Sequence, residues 1–229
     1  MVEKFPDLFI GIDVQIKRGC PYYIVDSQLA YVDSGWLMGD DPDEICDQLT
    51  ALRHRLTARP GMDIAVGIDA PRRGLTVPRA FFWRDGTWHQ RTQGEKGFGR
   101  HCEVVIKALG IGNPQWTRHE DQSPPWMVLG YRLFQTLSDL YHLYEVFPSV
   151  SFRLLNNVHD AQMTLSFANF TYGPKDMLDA CVSAYTVHAF VHGQGCEVGG
   201  GDGLGTIILP GRLPDVPDQS VLHWPEKSS

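Results

Sequence analysis

Several common classes of protein are excluded by what the chain lacks. No apolar run approaches the ~18 residues expected of a membrane-spanning helix. The start, Met1-Val2-Glu3-Lys4-Phe5-Pro6, has no signal-peptide pattern. Together these absences point to a cytoplasmic protein without a membrane partner. Cysteine is scarce and scattered: Cys20, Cys46, Cys102, Cys181 and Cys196 are odd in number and contain no Cys-x-x-Cys. They fit structural thiols in a reducing compartment better than a disulfide framework. Cys181, His188, His192 and Cys196 match no compact zinc spacing. The glycine run at 199–205 lacks the Lys-Ser/Thr of a phosphate loop and follows a helical pattern instead of preceding one, so it reads as a tight turn. Excess positive charge is missing too. With 20 basic against 27 acidic residues and a net charge of -7, the chain is not one that coats nucleic acid through overall charge.

What is present is an ordinary globular composition, 43% hydrophobic and 21% charged over 229 residues. It suits one domain over 1–210, interrupted by an insertion at 71–125 and followed by a loose tail at 211–229. Leu8 to Asp13, Tyr22 to Val25 and Leu29 to Val32 read as three short antiparallel strands separated by turn residues. Asp41 and Pro42 then start a helix whose apolar stripe is Ile45, Leu49, Leu52 and Leu56, and Pro60-Gly61 stops it. Asp63 to Asp69 is a nearly all-apolar strand of the kind covered on both faces. Within the insertion one short helix is expected near Glu103 to Ala108. Beyond it, a helix is predicted over Trp126 to Tyr141 with Leu129, Leu133, Leu137 and Leu140 in register, and a strand around Leu143 to Phe147. A closing helix covers Lys175 to Val191, its apolar face carrying Met177, Cys181, Ala184, His188 and Val191. Thr206 to Leu209 is a last strand.

These elements predict an α/β fold with a mixed five-stranded sheet, strands one to three antiparallel and strands four and five parallel to the first, flanked by helices. Ligands of open α/β sheets sit beyond the carboxyl ends of adjacent strands. Asp13, Asp69 and Glu145 fall at those ends, and the closing helix brings Asp176 and Asp179 to the same edge. Asp176 and Asp179, spaced i, i+3, share one helical face. Two carboxylates about 4 Å apart repel by roughly 4 kcal/mol at an effective dielectric near 20, so acids that converge need protons or cations. An all-oxygen set points to Mg²⁺ or Mn²⁺, and two such ions would suit phosphodiester cleavage. Asp13, Asp69, Asp176 and Asp179 are therefore the candidate metal ligands, with Glu145 either assisting catalysis or pairing with an arginine such as Arg79 or Arg100.

Between Arg72 and Lys107 the insertion carries eight Lys/Arg against three acids, interleaved with Phe81, Phe82, Trp83, Trp88 and Phe98. Basic groups take phosphates while aromatics stack bases. Arg72, Arg73, Arg79, Arg100 and Trp83 are the candidate substrate-binding residues, for a nucleic acid or a phosphorylated small molecule. A lid packed on the body is the structural alternative for this segment, and a homo-oligomer is compatible with the chain.

The order of Gly11-Ile12-Asp13, Ile68-Asp69-Ala70-Pro71, Arg100-x-x-Glu103, Glu145-Val146-Phe147-Pro148, Asp176-x-x-Asp179-Ala180 and Gly201-Asp202-Gly203 before Ile207-Ile208-Leu209-Pro210 resembles the domain-of-unknown-function family 429 over nearly the whole chain. The resemblance implies a ribonuclease-H-like fold and a nuclease activity. The placement of acids is also similar to Holliday-junction resolvases of that superfamily, with Asp69 standing where those carry a glutamate. Its shorter side chain would reach an ion through water. An actin-like nucleotide-hydrolysing enzyme and a non-catalytic metal- or nucleotide-binding module are the competing expectations.

Overall fold

Two strands of almost the same sequence, LFIGID and IAVGID, lie side by side at the centre of the molecule. The computed structural model describes residues 5–39, 41–56, 62–157, 175–213 and 219–225. In chain order its elements are β1 (Leu8–Asp13), β2 (Cys20–Asp26), β3 (Tyr31–Leu37), α1 (Pro42–Leu56), β4 (Ile64–Asp69), β5 (Phe81–Arg84), β6 (Thr87–Gln90), α2 (His101–Ala108), α3 (Pro125–Leu137), β7 (His142–Glu145), α4 (Pro148–Asn157), α5 (Lys175–Val191), β8 (Cys196–Gly199) and β9 (Thr206–Leu209). The main sheet has the order β3-β2-β1-β4-β7, with β1, β4 and β7 parallel and β2 and β3 antiparallel to their neighbours. This is the expected mixed five-stranded α/β arrangement. No helix among the described residues is long and apolar enough to cross a membrane.

The central strands are apolar throughout because both faces are covered. On one face Ile10, Ile12, Val66 and Ile68 pack against Ile45 and Leu49 of α1 and Leu129 and Leu133 of α3. On the other, Phe9 and Ala65 meet Cys181, Ala184 and Val187 of α5. That second contact is unusually close. Gly11 and Gly67 are register partners in β1 and β4. A Cβ on Gly11 would stand 1.9 Å from the Ala180 carbonyl oxygen and 2.4 Å from the Ala184 nitrogen; one on Gly67 would stand 2.7 Å from Val187 Cγ2. Helix α5 therefore rests on bare strand backbone.

Several expected boundaries move, each for a local reason. The third strand starts at Tyr31, because the Asp26 carboxylate accepts the Gln28 and Ala30 N–H groups and holds Leu29 in a left-handed turn (φ 62). Helix α3 stops at Leu137, so Leu140 lies outside the stripe and 37% exposed. The apolar face expected for α5 is too narrow: Ser183 and Thr186 are fully buried, their hydroxyls satisfied by the carbonyls of Asp179 and Val182, while His188 is only partly buried. Pro60-Gly61 lies outside the described residues.

The insertion is more ordered than its weak periodicity implied. Phe81–Arg84 and Thr87–Gln90 form a hairpin closed by Asp85 and Gly86, both at positive φ (52 and 78), the geometry an Asp-Gly turn favours. With α2, α4 and the β8–β9 hairpin it builds a third core around Val105, Ile106, Val150, Ile207 and Leu209. Val221, from the tail expected to be loose, is buried in that core, and Trp88 Nε1 donates to the Ser220 carbonyl (3.1 Å).

The glycine seat has a direct test. Gly11→Ala forces a methyl into a carbonyl and should lower stability by about 3 kcal/mol, at the upper end of the range for overpacked cores. Gly211→Ala, with open space around it, should leave the denaturant midpoint unchanged. Equal midpoints for the two variants would remove the close contact.

Candidate functional site

The register that opposes Gly11 to Gly67 also opposes Asp13 to Asp69. Side chains alternate along a strand, so Phe9, Gly11 and Asp13 leave β1 on the α5 face, as do Ala65, Gly67 and Asp69 in β4. The two carboxylates therefore emerge side by side, one step past the glycine pair. Helix α5 runs against the strands, with Ala180 and Ala184 over Gly11 and Ser183 and Val187 over Gly67. One turn back from Ala180 is Asp176, and one turn back from Ser183 is Asp179. The glycine seat thus sets the height at which the helical acids reach the strand-end acids.

The electrostatics of the four acids reflect this crowding. Asp13 is 8% exposed. Its carboxyl is pushed from the ordinary 3.8 up to about 6, first by burial and then by the negative charges of Asp179 and Asp176, against the hydrogen bond it accepts from Gln15 Nε2 (2.6 Å). Asp69 is held well above the carboxylate range by burial and by Asp13, Asp179 and Glu145. Burial also raises Asp179, with Asp176 adding to it and Lys175 opposing. The neighbouring cations are Arg18, 3.7 Å from Asp176, and Lys175, 3.7 Å from Asp179, with side chains 71% and 76% exposed. Exposed pairs of this kind contribute at most about 1 kcal/mol, so these cations offset little of the crowding among the carboxyl groups. As they stand, no three His, Cys, Asp or Glu side chains among the described residues are set to hold a metal ion. The donor set fits a hard divalent cation in chemistry: all oxygen, deficient in positive charge, and with Asp176 and Asp179 paired, among the described residues, only with exposed surface cations.

Asp13 and Asp69 open into a cavity of about 210 Å³ whose wall includes Val14, Pro71 and Trp126. Glu145 lines it as well, but not as a candidate ligand. It is the register partner of Ile68, one step short of Asp69 and on the opposite side of the strand alternation. The Arg100 guanidinium donates to both its oxygens, through Nη1 at 2.8 Å and through Nη2, and the Arg72 N–H adds a third bond at 2.9 Å. Arg100 also donates to Glu103 (3.0 Å from Nη2, 3.1 Å from Nε) and to Thr117 (3.1 Å), all of these side chains being buried. Glu145 therefore takes the structural option, pairing with Arg100, and Arg100 is correspondingly unavailable to a substrate.

The remaining basic candidates are scattered instead of forming one phosphate-binding face. Arg72 donates to the Leu143 carbonyl (3.1 Å) and lies over the Phe134 ring. Arg73 is exposed and donates to the Gly203 carbonyl. Arg79 is buried between Phe82 and Trp116, where loss of water lowers its guanidinium to about 10. Trp83 packs edge-on against Trp88. Residues that sequence reasoning passed over are Trp126 in the cavity wall, Gln15 on Asp13, and Asp202, which accepts the His101 N–H (2.6 Å) at the start of α2. Only Asp202 had a visible signal, in Gly201-Asp202-Gly203. Cys181, His188, His192 and Cys196 form no site: the two imidazoles stack on each other, and Phe9 meets His188 edge-on and His192 at a tilt.

No family model matches the chain, and no curated protein or solved structure matches it significantly.

The cost of the cluster is measurable. Asp13 binds its proton more tightly folded than unfolded, so without metal its ionisation destabilises the protein as pH rises from 3.8 through about 6. In chelator at pH 7, Asp13→Asn should therefore raise stability, by up to about 3 kcal/mol. The gain should fade as pH falls below 6 and vanish below 3.8. Thermal denaturation of the two proteins at pH 7 and pH 4 checks this, and a variant less stable at pH 7 would contradict it.

Proposed function

We propose that this protein is a divalent-metal-dependent phosphodiesterase of the nuclease kind, built on a ribonuclease-H-like fold. The observation that carries the proposal is the convergence of Asp13, Asp69, Asp176 and Asp179 on one sheet edge, where the proton affinities of Asp13, Asp69 and Asp179 are raised and, among the described residues, only Gln15 and two exposed cations compensate. An acidic cluster that weakens the apo fold is expected where selection favours binding over stability. The motif order resembling the family 429 domains points the same way.

Asp13 and Asp179 would be the principal holders of Mg²⁺ or Mn²⁺, and Asp69 and Asp176 would complete the set. When bound, such ions activate water and stabilise the leaving oxygen of a phosphodiester. The chain's own contribution is position. Gln15 fixes one oxygen of Asp13, leaving the other toward the cavity. Ala70-Pro71 anchors the end of β4: Ala70 is clasped by Gly130 of α3, whose Cβ would come within 2.3 Å of the Ala70 Cβ. The Arg100 network holds the end of β7 at the back of the cavity without offering Glu145 as a ligand.

The expected outcome is Mg²⁺- or Mn²⁺-dependent cleavage of single-stranded or duplex polynucleotide, lowered at least a hundredfold by Asp13→Asn or Asp179→Asn with the fold intact by circular dichroism. Calorimetry should show Mn²⁺ binding to the wild type and loss of it in both variants. Metal binding with no turnover on DNA, RNA or nucleotides would make the protein a binding module; unchanged cleavage by Asp13→Asn would refute the site.

A further inference from the structure

The carboxylate cavity does not end at its own wall. Val14 and Trp126, which line it, also line a second depression of about 550 Å³ whose other walls are Gln15, Ile16, Lys17, Arg18 and Pro125. The two spaces adjoin across Val14 and Trp126, as two sections of a divided groove that leads from Asp13 and Asp69 to the loop after β1. The groove changes character along its length. At the carboxylate end it is acidic, and beyond Trp126 it is apolar, floored by the half-buried Ile16 and Trp126 and rimmed by two exposed cations. Lys17 has no acidic partner among the described residues, and Arg18 reaches only Asp176, at 3.7 Å.

Trp126 owes its position to its helix. Pro124 in an extended conformation (φ -64, ψ 152) and Pro125 at the first helical position set the start of α3 rigidly. Four residues on, on the same face, Gly130 clasps Ala70, the residue after Asp69. The indole is thus held at a fixed offset from the end of β4. An aromatic surface next to cations, adjoining a site for a phosphodiester, presents what a nucleotide presents in reverse: a planar apolar base and an anionic linkage.

Building on the phosphodiesterase reading of the carboxylate site, we infer that the groove from Val14 to Arg18 is a nucleotide subsite, in which Trp126 stacks a base and Lys17 and Arg18 take the phosphate of the nucleotide next to the scissile linkage. A base can lay its face on Trp126 only where it is not stacked within a duplex. The substrate strand is therefore single-stranded, or locally unpaired, at that nucleotide. The one amide side chain lining the groove from Val14 to Arg18, Gln15, is engaged by Asp13 (2.6 Å), so the preference is for strand state and not for sequence.

The test is fluorescence anisotropy of a short labelled oligo(dT), oligo(U) or duplex of equal length with the Asp13→Asn protein in Mg²⁺, where cleavage does not interfere. Both single strands should bind and the duplex should bind at least tenfold more weakly. Trp126→Ala should weaken single-strand binding about tenfold, Trp126→Phe should restore most of it, and the exposed double variant Lys17→Glu/Arg18→Glu should weaken it as much with the fold unperturbed. Binding that is indifferent to the Lys17/Arg18 double variant and to the Trp126 pair, or that favours the duplex, overturns the subsite. Wild-type cleavage of the same strands is scored separately. Cleavage without dependence on these residues removes the subsite and keeps the phosphodiesterase; dependence without cleavage keeps the strand groove and removes the phosphodiesterase.

Discussion

Helix α5 can touch the backbone of β1 and β4 only because two register-paired residues, Gly11 and Gly67, have no side chain. Close packing of this kind fixes translation as well as distance, since Ala180, Ser183, Ala184 and Val187 each meet a particular strand atom. The consequence lies one helical turn away. With the seat in place, Asp176 and Asp179 stand above Asp13 and Asp69, and four carboxyl groups share one sheet edge. A bulkier residue at either glycine would lift the helix and loosen the packing core and the acidic cluster together.

The cluster opposes the packing that creates it. Burial and mutual repulsion raise the proton affinity of Asp13, Asp69 and Asp179. A few ångströms away the same kind of problem has been solved internally: Glu145 and Glu103, more deeply buried still, share the Arg100 guanidinium and several N–H and O–H donors. The contrast separates the two groups of acids. One is satisfied by the chain itself and braces β7 and α2, while the other has, among the described residues, only a glutamine amide and exposed cations, which is the need that the proposed ion would meet.

The central sheet was legible because its strands carry their own evidence, continuous apolar runs ending in Asp, and because α1 between them has a clear start and a clear apolar stripe. The four aspartates followed from that topology. What escaped was set by contacts remote in sequence. Nothing local distinguishes Glu145, bound by Arg100, from Asp69, which is not; their difference is one register step and a partner 45 residues away. Arg72, Arg79, Arg100 and Trp83 made a basic and aromatic segment on paper, but the third core draws Arg100 and Arg79 inside and turns Trp83 onto Trp88. The Asp85-Gly86 hairpin was readable and was passed over because flanking alternation is weak. Trp126 looked like one more apolar residue of α3 until Gly130 fixed the helix against Ala70.

The account rests on the four aspartates being one cation site. Its most direct test is the anomalous scattering of crystals grown or soaked in Mn²⁺. The prediction is an anomalous peak between Asp13 and Asp179, with Asp69 and Asp176 turned toward it. Mn²⁺ bound elsewhere, or carboxylates that keep their separate hydrogen bonds and ion pairs at saturating metal, would contradict it.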